Sequence, residues 1–316
     1  MADTYLVTGG MGCIGAWALY HLGRQGKRAI NFDQSEDRQR INWLMSAEEQ
    51  EAITFVQGDL RDTDALKAVF AEHGITRVIH LAALQVPFCR ANPVLGAEVN
   101  VTGTVNIFEA ARANGVDHIA FASSIGVYGP PSDFLPGFIP NDAPKKPRTL
   151  YGAYKVCNEG TALVYHEENG ITSTALRPYT VYGVGRNQGM TSEPTKALVA
   201  AAKGQSYQIP FSGEMQFQWA SDVARQFILA AEQPLDGARG FNLGGPPSSV
   251  ARFVELAREA LPGAAIEVVE NPLPFPAGFD DSALRASFDT VYETPLDEGI
   301  AETIAHIQRL GDVIQQ

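Results

Sequence analysis

Between residues 151 and 155 the sequence reads YGAYK, two phenols and one ammonium within five residues. On a helix, residues four apart share a face, so Tyr151 and Lys155 are neighbours. Tyr154, adjacent to the lysine, points elsewhere. A phenol titrates near ~10 and is a poor base at neutral pH. A nearby positive charge stabilises phenolate and lowers that value. The pattern can therefore serve as a proton-transfer device in which Tyr151 is the working group. By itself it is better satisfied by a tyrosine packed at a helix start beside a solvated lysine. The residues upstream tip the balance, because Ser124, at the end of an apolar strand, offers a second hydroxyl.

A second constellation lies near the N-terminus. VTGGMGCIG sets Gly9, Gly12 and Gly15 directly after a strand and at the opening of a helix. Glycine serves there for a tight turn, for backbone approach to a pyrophosphate and for close helix–strand packing. The helix N-terminus, with Cys13 and Ile14 in its first turn, turns its free N–H groups toward the phosphates. A following strand ends in Asp33, eighteen residues beyond Gly15. A carboxylate there accepts from the adenosine ribose hydroxyls and repels a 2′-phosphate, which favours NAD over NADP.

These groups must be held by a regular frame. The segments 4–8, 28–33, 52–59, 77–83, 118–124 and 173–178 read as apolar strands, with helical patterns at 14–26, 62–73, 93–114 and 151–169 between them. Strands that are apolar throughout and separated by helices indicate a parallel sheet covered on both faces. After Pro178 the rhythm changes. Helical segments at 191–204, 222–232 and 247–261 alternate with short strands, and the proline-rich 271–279 must be loop. The expected architecture is α/β: a doubly wound, Rossmann-type dinucleotide-binding domain over 1–178. A smaller substrate lobe over 179–316 sends a segment near 213–245 back to the main domain. The stretch 34–52 reads as a surface helix with no role, and His80 as a satisfied core histidine.

The spacing G-x-x-G-x-x-G resembles the short-chain dehydrogenase/reductase superfamily, and the remaining motifs resemble its extended branch, the NAD-dependent epimerase/dehydratase family. GDLRD (58–62), HLAA (80–83), NVTGTVNIFEAA (100–111), SSIGVYG (123–129), YGAYKVCNE (151–159) and LRPYTVYG (176–183) follow in the family's order. The likeness is firm over about the first 230 residues and looser beyond. It implies that Asp59 and Leu60 contact the adenine, and that Leu81, Ala82 and Ala83 form the turn beside the nicotinamide ribose. Asn100 would buttress the site, and Pro178 would close the cofactor pocket. It also implies that Tyr151 moves the proton on a substrate hydroxyl. Lys155 would tune Tyr151 and bind the ribose, and Ser124 would hold the same substrate oxygen. A homodimer through the helices near 93–114 and 151–169 comes from the same resemblance.

The substrate is read where the pattern breaks. Dehydratases of the family carry an Asp-Glu pair after the serine; here Ile125 and Gly126 stand there. Nucleotide-sugar epimerases hold a diphosphate with arginines in the substrate lobe, and the matching positions are Met215 and the stretch PAGF at 276–279. Thr180 replaces a third donor, an asparagine. A diphosphate needs positioned donors, and only the neighbouring Arg186 or Arg285 could replace them. The expected activity is therefore NAD-dependent oxidation of an unactivated sugar, uronate or sugar acid, with Gln85, Tyr179 and Arg186 as substrate candidates. A 4-epimerase of a nucleotide-sugar or free sugar, which returns NAD unchanged, is the alternative. A non-catalytic NAD sensor fits less well, since it has no need of a proton-transfer group.

Bulk properties narrow the partners. A net charge of −12 over 316 residues argues against nucleic acid and anionic membrane surfaces. No stretch approaches the ~18 apolar residues of a membrane span, and MADTYLVTGG lacks a secretory pattern. Cys13, Cys89 and Cys157 have neither disulfide nor zinc spacing. The expectation is a cytoplasmic enzyme with free thiols, no metal and a small carbohydrate partner.

Overall fold

A computed structural model describes residues 3–314. The chain runs β1 (Thr4–Thr8), α1 (Cys13–Arg24), β2 (Arg28–Asp33), the short helices α2 (Gln39–Leu44) and α3 (Ala47–Gln50), and β3 (Ile53–Gln57). It continues through α4 (Thr63–His73), β4 (Arg77–His80), α5 (Val86–Ala91), α6 (Pro93–Ala97), a π-helical turn at Glu98–Thr102 and α7 (Gly103–Asn114). Then come β5 (His118–Ala122), α8 (Leu150–Asn169), β6 (Thr172–Arg177), β7 (Thr180–Tyr182) and α9 (Glu193–Ala202). The remainder is β8 (Tyr207–Ile209), β9 (Glu214–Trp219), α10 (Ala220–Glu232), β10 (Ala238–Asn242), β11 (Pro247–Ser249), α11 (Val250–Ala260), β12 (Ile266–Val268), α12 (Ser282–Ser287) and α13 (Leu296–Leu310).

Seven strands form one sheet in the order β10-β6-β5-β4-β1-β2-β3, every pair parallel. The order reverses between β1 and β4, where Thr8 lies opposite His80. In open α/β sheets that reversal leaves a crevice at the carboxyl ends of the strands. The sheet is apolar on both faces because helices cover both. Leu6, Ile30, Val78 and Phe121 pack with Phe70 of α4 and Phe108 of α7 in one core. Tyr5, Val7, Ala29 and Ile79 pack in the other with Trp17 of α1 and Phe227 of α10. The edge strand β10 comes late in the sequence: the chain leaves the sheet to form β7, β8 and β9, returns as β10, and only afterwards adds β11 and β12 to complete the sheet β11-β9-β7 and the pair β12-β8.

Local chemistry sets the helix ends. Asp62 caps α4 by accepting the Ala65 N–H, and Gly74 at φ 59° closes it. Thr149 accepts the Gly152 N–H at the start of α8, and Gly170 at φ 71° ends it. Such left-handed closures are easy only for glycine.

Three sequence expectations need correction. The strand expected over 77–83 stops at His80, because the Leu81 and Ala82 amides turn aside to the Thr8 hydroxyl. The helix expected over 93–114 is interrupted by the π turn that carries Asn100. The stretch 34–52 is not a solvated surface helix: Ile41, Trp43, Leu44 and Met45 are buried in the core shared with α1, and the Trp43 carbonyl accepts from His306 of α13. Periodicity fails on two helices of six and four residues. Residues 271–279 are irregular apart from isolated bridges at Pro272 and Phe279. No helix among the described residues is long and apolar enough to cross a membrane.

Candidate active site

A cavity of about 870 Å³ opens at the β1/β4 reversal. Its first wall is the glycine loop. Gly9 sits at φ 74°, and a Cβ there would come within 2.7 Å of the Ala82 backbone. A Cβ on Gly15 would lie 2.2 Å from the Gly9 carbonyl oxygen. Side chains are therefore excluded where α1 starts. Gly12 caps that helix without any side-chain bond, leaving the N–H groups of its first turn to a ligand.

Asp33, at the tip of β2, accepts from the Met11 N–H at 3.0 Å and the Ser35 N–H at 2.9 Å. Burial raises its pKa, and these amides pull it back. Asp59 holds Arg61 through both oxygens at 2.6–3.1 Å, and that bond depresses its pKa. The cavity is lined by all the expected cofactor residues except Asn100. Asn100 is buried behind the wall, where its amide accepts the Leu84 N–H at 2.7 Å and donates to the Leu84 carbonyl at 2.9 Å. The π turn rotates it inward, so it supports the 81–85 turn rather than touching a ligand. The residues fit a dinucleotide: an uncapped helix N-terminus, a backbone cradle that a Cβ would fill, and a carboxylate at the tip of the second strand.

Ser124, Tyr151 and Lys155 converge at the other end. Ser124 Oγ accepts from the Gly126 N–H at 3.0 Å, and it faces the Tyr151 ring across Gly126, where a Cβ would lie 3.3 Å from Ser124 Oγ and 3.7 Å from the ring. Lys155 is buried, donates to the Ala122 carbonyl at 2.6 Å, and stands 5.6 Å from the centre of the Tyr151 ring. Burial pushes Lys155 down to about 8, against the pull of Cys89 and Glu159. In the ligand-free site the Tyr151 phenol is raised rather than lowered. Desolvation outweighs the Ser124 hydroxyl and the positive charge of Arg186, the groups that stabilise phenolate here. Tyr154 faces away, donating to the Pro93 carbonyl at 2.8 Å and so pinning α8 to α6.

The substrate candidates separate. Gln85 and Arg186 both line the cavity and approach the same point, since a Cβ on Gly189 would lie 2.6 Å from Gln85 Oε1 and 3.0 Å from Arg186 Nη2. Arg186 Nε is enclosed with no partner, and Nη2 reaches only Thr191 Oγ1 at 3.4 Å. Burial lowers the Arg186 pKa. Tyr179 is a wall without a free hydroxyl, which donates to the Pro276 carbonyl at 2.6 Å. Met215 is 1% exposed in the core. Arg285 is ion-paired with Asp281 and Glu293, and it does not line the cavity. The remaining lining cation, Arg148, pairs with Asp133.

Sequence reasoning missed Arg40, on α2. It donates to the Met11 carbonyl of the glycine loop at 2.9 Å, and to the Gly185 carbonyl and Asn187 on either side of Arg186. No spacing rule marks it. His80 is the expected core histidine, bonded to the Thr8 and Thr104 hydroxyls and pushed down to about 3 by burial. Among the described residues no group of His, Cys, Asp or Glu could hold a metal ion.

Residues 5–244 match the model of the NAD dependent epimerase/dehydratase family. A UDP-glucose 4-epimerase of Mycolicibacterium smegmatis is 30% identical over 95% of this chain and 96% of that protein. A UDP-glucuronate 4-epimerase of Thermodesulfobacterium geofontis is 30% identical over 80% of this chain and 79% of its own length. The crystal structure of a Thermus thermophilus UDP-glucose 4-epimerase complexed with NAD superposes with a TM-score of 0.81, covering 96% of this chain and 99% of that one, at 27% identity.

Proposed function

The chain belongs to the NAD-dependent epimerase/dehydratase family and its cofactor is NAD, and from that premise we propose that it oxidises a hydroxyl of an unactivated acidic carbohydrate, a uronate or sugar acid. When bound, NAD supplies the hydride acceptor. Ser124 and Tyr151 hold the substrate oxygen, and Tyr151 takes its proton. Lys155 orders the end of β5 through Ala122 and keeps a positive charge beside the phenol ring. Asp33 and the glycine loop seat the adenosine and the diphosphate.

One observation carries the choice of an acidic substrate. Arg186 has an enclosed Nε with no partner, and among the described residues the only acidic side chains lining the cavity are Asp33, bonded to the glycine loop, and Asp59, paired with Arg61. A guanidinium lacking its counter-ion is built for a planar anion. Met215 and the 276–279 stretch supply no cation for a diphosphate, and Arg148, the other arginine lining the cavity, is paired with Asp133. A second reading, 4-epimerisation of a UDP-sugar, is favoured by the two 30% relatives. The homodimer through α7 and α8 stands as part of the proposal; Leu163 and Val164 are exposed on α8.

The test is a panel of hexuronates, aldonates, neutral sugars and UDP-sugars incubated with NAD, following NADH and product stereochemistry. Stoichiometric NADH with acids ahead of neutral sugars supports the proposal. Interconversion of UDP-sugars without net NADH replaces it with the second reading.

A further inference from the structure

Three side chains of α8 meet three consecutive residues at the end of β5. Tyr151, Lys155 and Glu159 follow one another at four-residue spacing and form one stripe. Lys155 donates to the Ala122 carbonyl at 2.6 Å, Ser123 Oγ donates to Glu159 Oε1 at 2.6 Å, and Ser124 Oγ and the Tyr151 ring both close on Gly126, where a Cβ would lie 3.3 Å from the one and 3.7 Å from the other. The middle contact is the rigid one. Arg177, at the end of β6, grips Glu159 with Nε to Oε1 at 2.7 Å and Nη2 to Oε2 at 2.8 Å. Its Nη1 donates to the Tyr128 hydroxyl at 2.9 Å and the Asn141 carbonyl at 3.0 Å. Glycine at position 240 on β10 makes room, since a Cβ there would lie 2.5 Å from Arg177 Nη2. Arg177 is 4% exposed. A buried ion pair is seldom more stabilising than apolar packing, so its value here lies in fixing position.

We infer that Glu159 is a positioning residue: clamped by Arg177, it holds Ser123 and through it sets the register of Ser124 against Tyr151. The inference rests on the reading of Ser124 and Tyr151 as the proton-transfer pair. Ser124 cannot shift on its own, because its oxygen already accepts the Gly126 N–H. Displacing Ser123 therefore carries Ser124 with it and weakens the pull of the Ser124 hydroxyl on the phenol.

The experiment reads the phenol directly and needs no substrate. The protein is labelled with 3-fluorotyrosine, and the Tyr151 ¹⁹F resonance is assigned with Tyr151→Phe and titrated with pH. The groups acting on Tyr151 are Ser124, Arg186, Cys89 and the Lys155 ammonium beside its ring. Ser124→Ala removes a hydrogen bond to the phenolate, and its midpoint is expected to rise by about one pH unit. Ser123→Ala keeps the Arg177–Glu159 pair and all the groups named. It is expected to raise the midpoint by roughly a third of a unit or more, and Glu159→Gln by at least as much where it folds. A folded Ser123→Ala with the wild-type midpoint, beside a shifted Ser124→Ala, overturns the inference. A Ser124→Ala midpoint that does not move removes the proton-transfer pair itself and the inference with it. Failure of the carbohydrate panel leaves this titration untouched, so the two readings fail separately.

Discussion

Replacing Arg186 by methionine separates stability from function. The substitution keeps the length and the apolar stem and removes the guanidinium. In the folded protein that group has an enclosed Nε without a partner, a single 3.4 Å contact to Thr191, and the repulsion of Arg40 nearby. An unsatisfied buried donor costs about 1–3 kcal/mol, and little is lost with the Thr191 contact. The ligand-free Arg186→Met protein is therefore expected to be more stable by about 1–3 kcal/mol, read as a rise in Tm of about 1.5–4.5 °C for a chain of this size. The same change removes the proposed partner of the substrate carboxylate. Truncating a buried charge-assisted bond typically costs about 2–5 kcal/mol, so kcat/KM for an acidic substrate should fall by roughly 30- to 3,000-fold. Affinity for NAD should stay within about threefold, less than the 1.4 kcal/mol of a tenfold change. Differential scanning calorimetry without ligand, steady-state kinetics and NAD titration check the three parts. A fall in Tm would make the guanidinium a structural strut. A gain in Tm with unchanged discrimination between acid and neutral sugar would refute the anion site.

Two further predictions follow from the cofactor end and the lysine. Gly15→Ala places a methyl 2.2 Å from the Gly9 carbonyl and 2.7 Å from Gly10 Cα, both backbone atoms that cannot swing aside. NAD affinity measured by calorimetry should drop at least tenfold, and unchanged affinity would contradict the cradle. Lys155 titrates at about 8 when folded and near ~10.4 when unfolded, so between those values the unfolded chain binds more protons and stability rises with pH. Below about 8 both states are protonated and the penalty, about 3 kcal/mol, is fully present. Lys155→Met should exceed the wild type in Tm most at pH 7, with the gap closing from pH 8 to 10. A gap that widens over that range would show that burial does not disfavour the ammonium.

The frame was legible because the first six strands of the sheet carry short apolar runs, and both faces of a parallel sheet are covered; the edge strand β10, ARGFN, has no such run. The glycine loop was legible for a different reason: its constraint is steric, and only one residue type satisfies it. What escaped has no period and no composition. Arg40 sits on a six-residue helix, too short to show a face, and its partners, two backbone carbonyls and the Asn187 side chain, lie 29, 145 and 147 residues away. Asn100, expected to buttress the site, holds Leu84 from behind the wall, but the π turn that carries it is invisible in a pattern of apolar residues.

The sign of the Tyr151 perturbation escaped for a physical reason that bears on the mechanism. Spacing showed a cation one turn away and suggested a lowered pKa; it could not show that the lysine spends its hydrogen bond on Ala122, nor how thoroughly the phenol is desolvated. In the ligand-free site the phenol is held neutral, and the charges able to ionise it are Lys155 beside the ring, Arg186 across the cavity and the positive nicotinamide ring of bound NAD. If Arg186 is neutralised by a substrate carboxylate, its help is withdrawn when the substrate arrives, and NAD becomes the larger influence. Tyr151 should therefore reach its basic form in the presence of NAD before substrate is bound. In the fluorotyrosine titration, NAD alone should lower the Tyr151 midpoint, and a competing carboxylate added afterwards should raise it part of the way back.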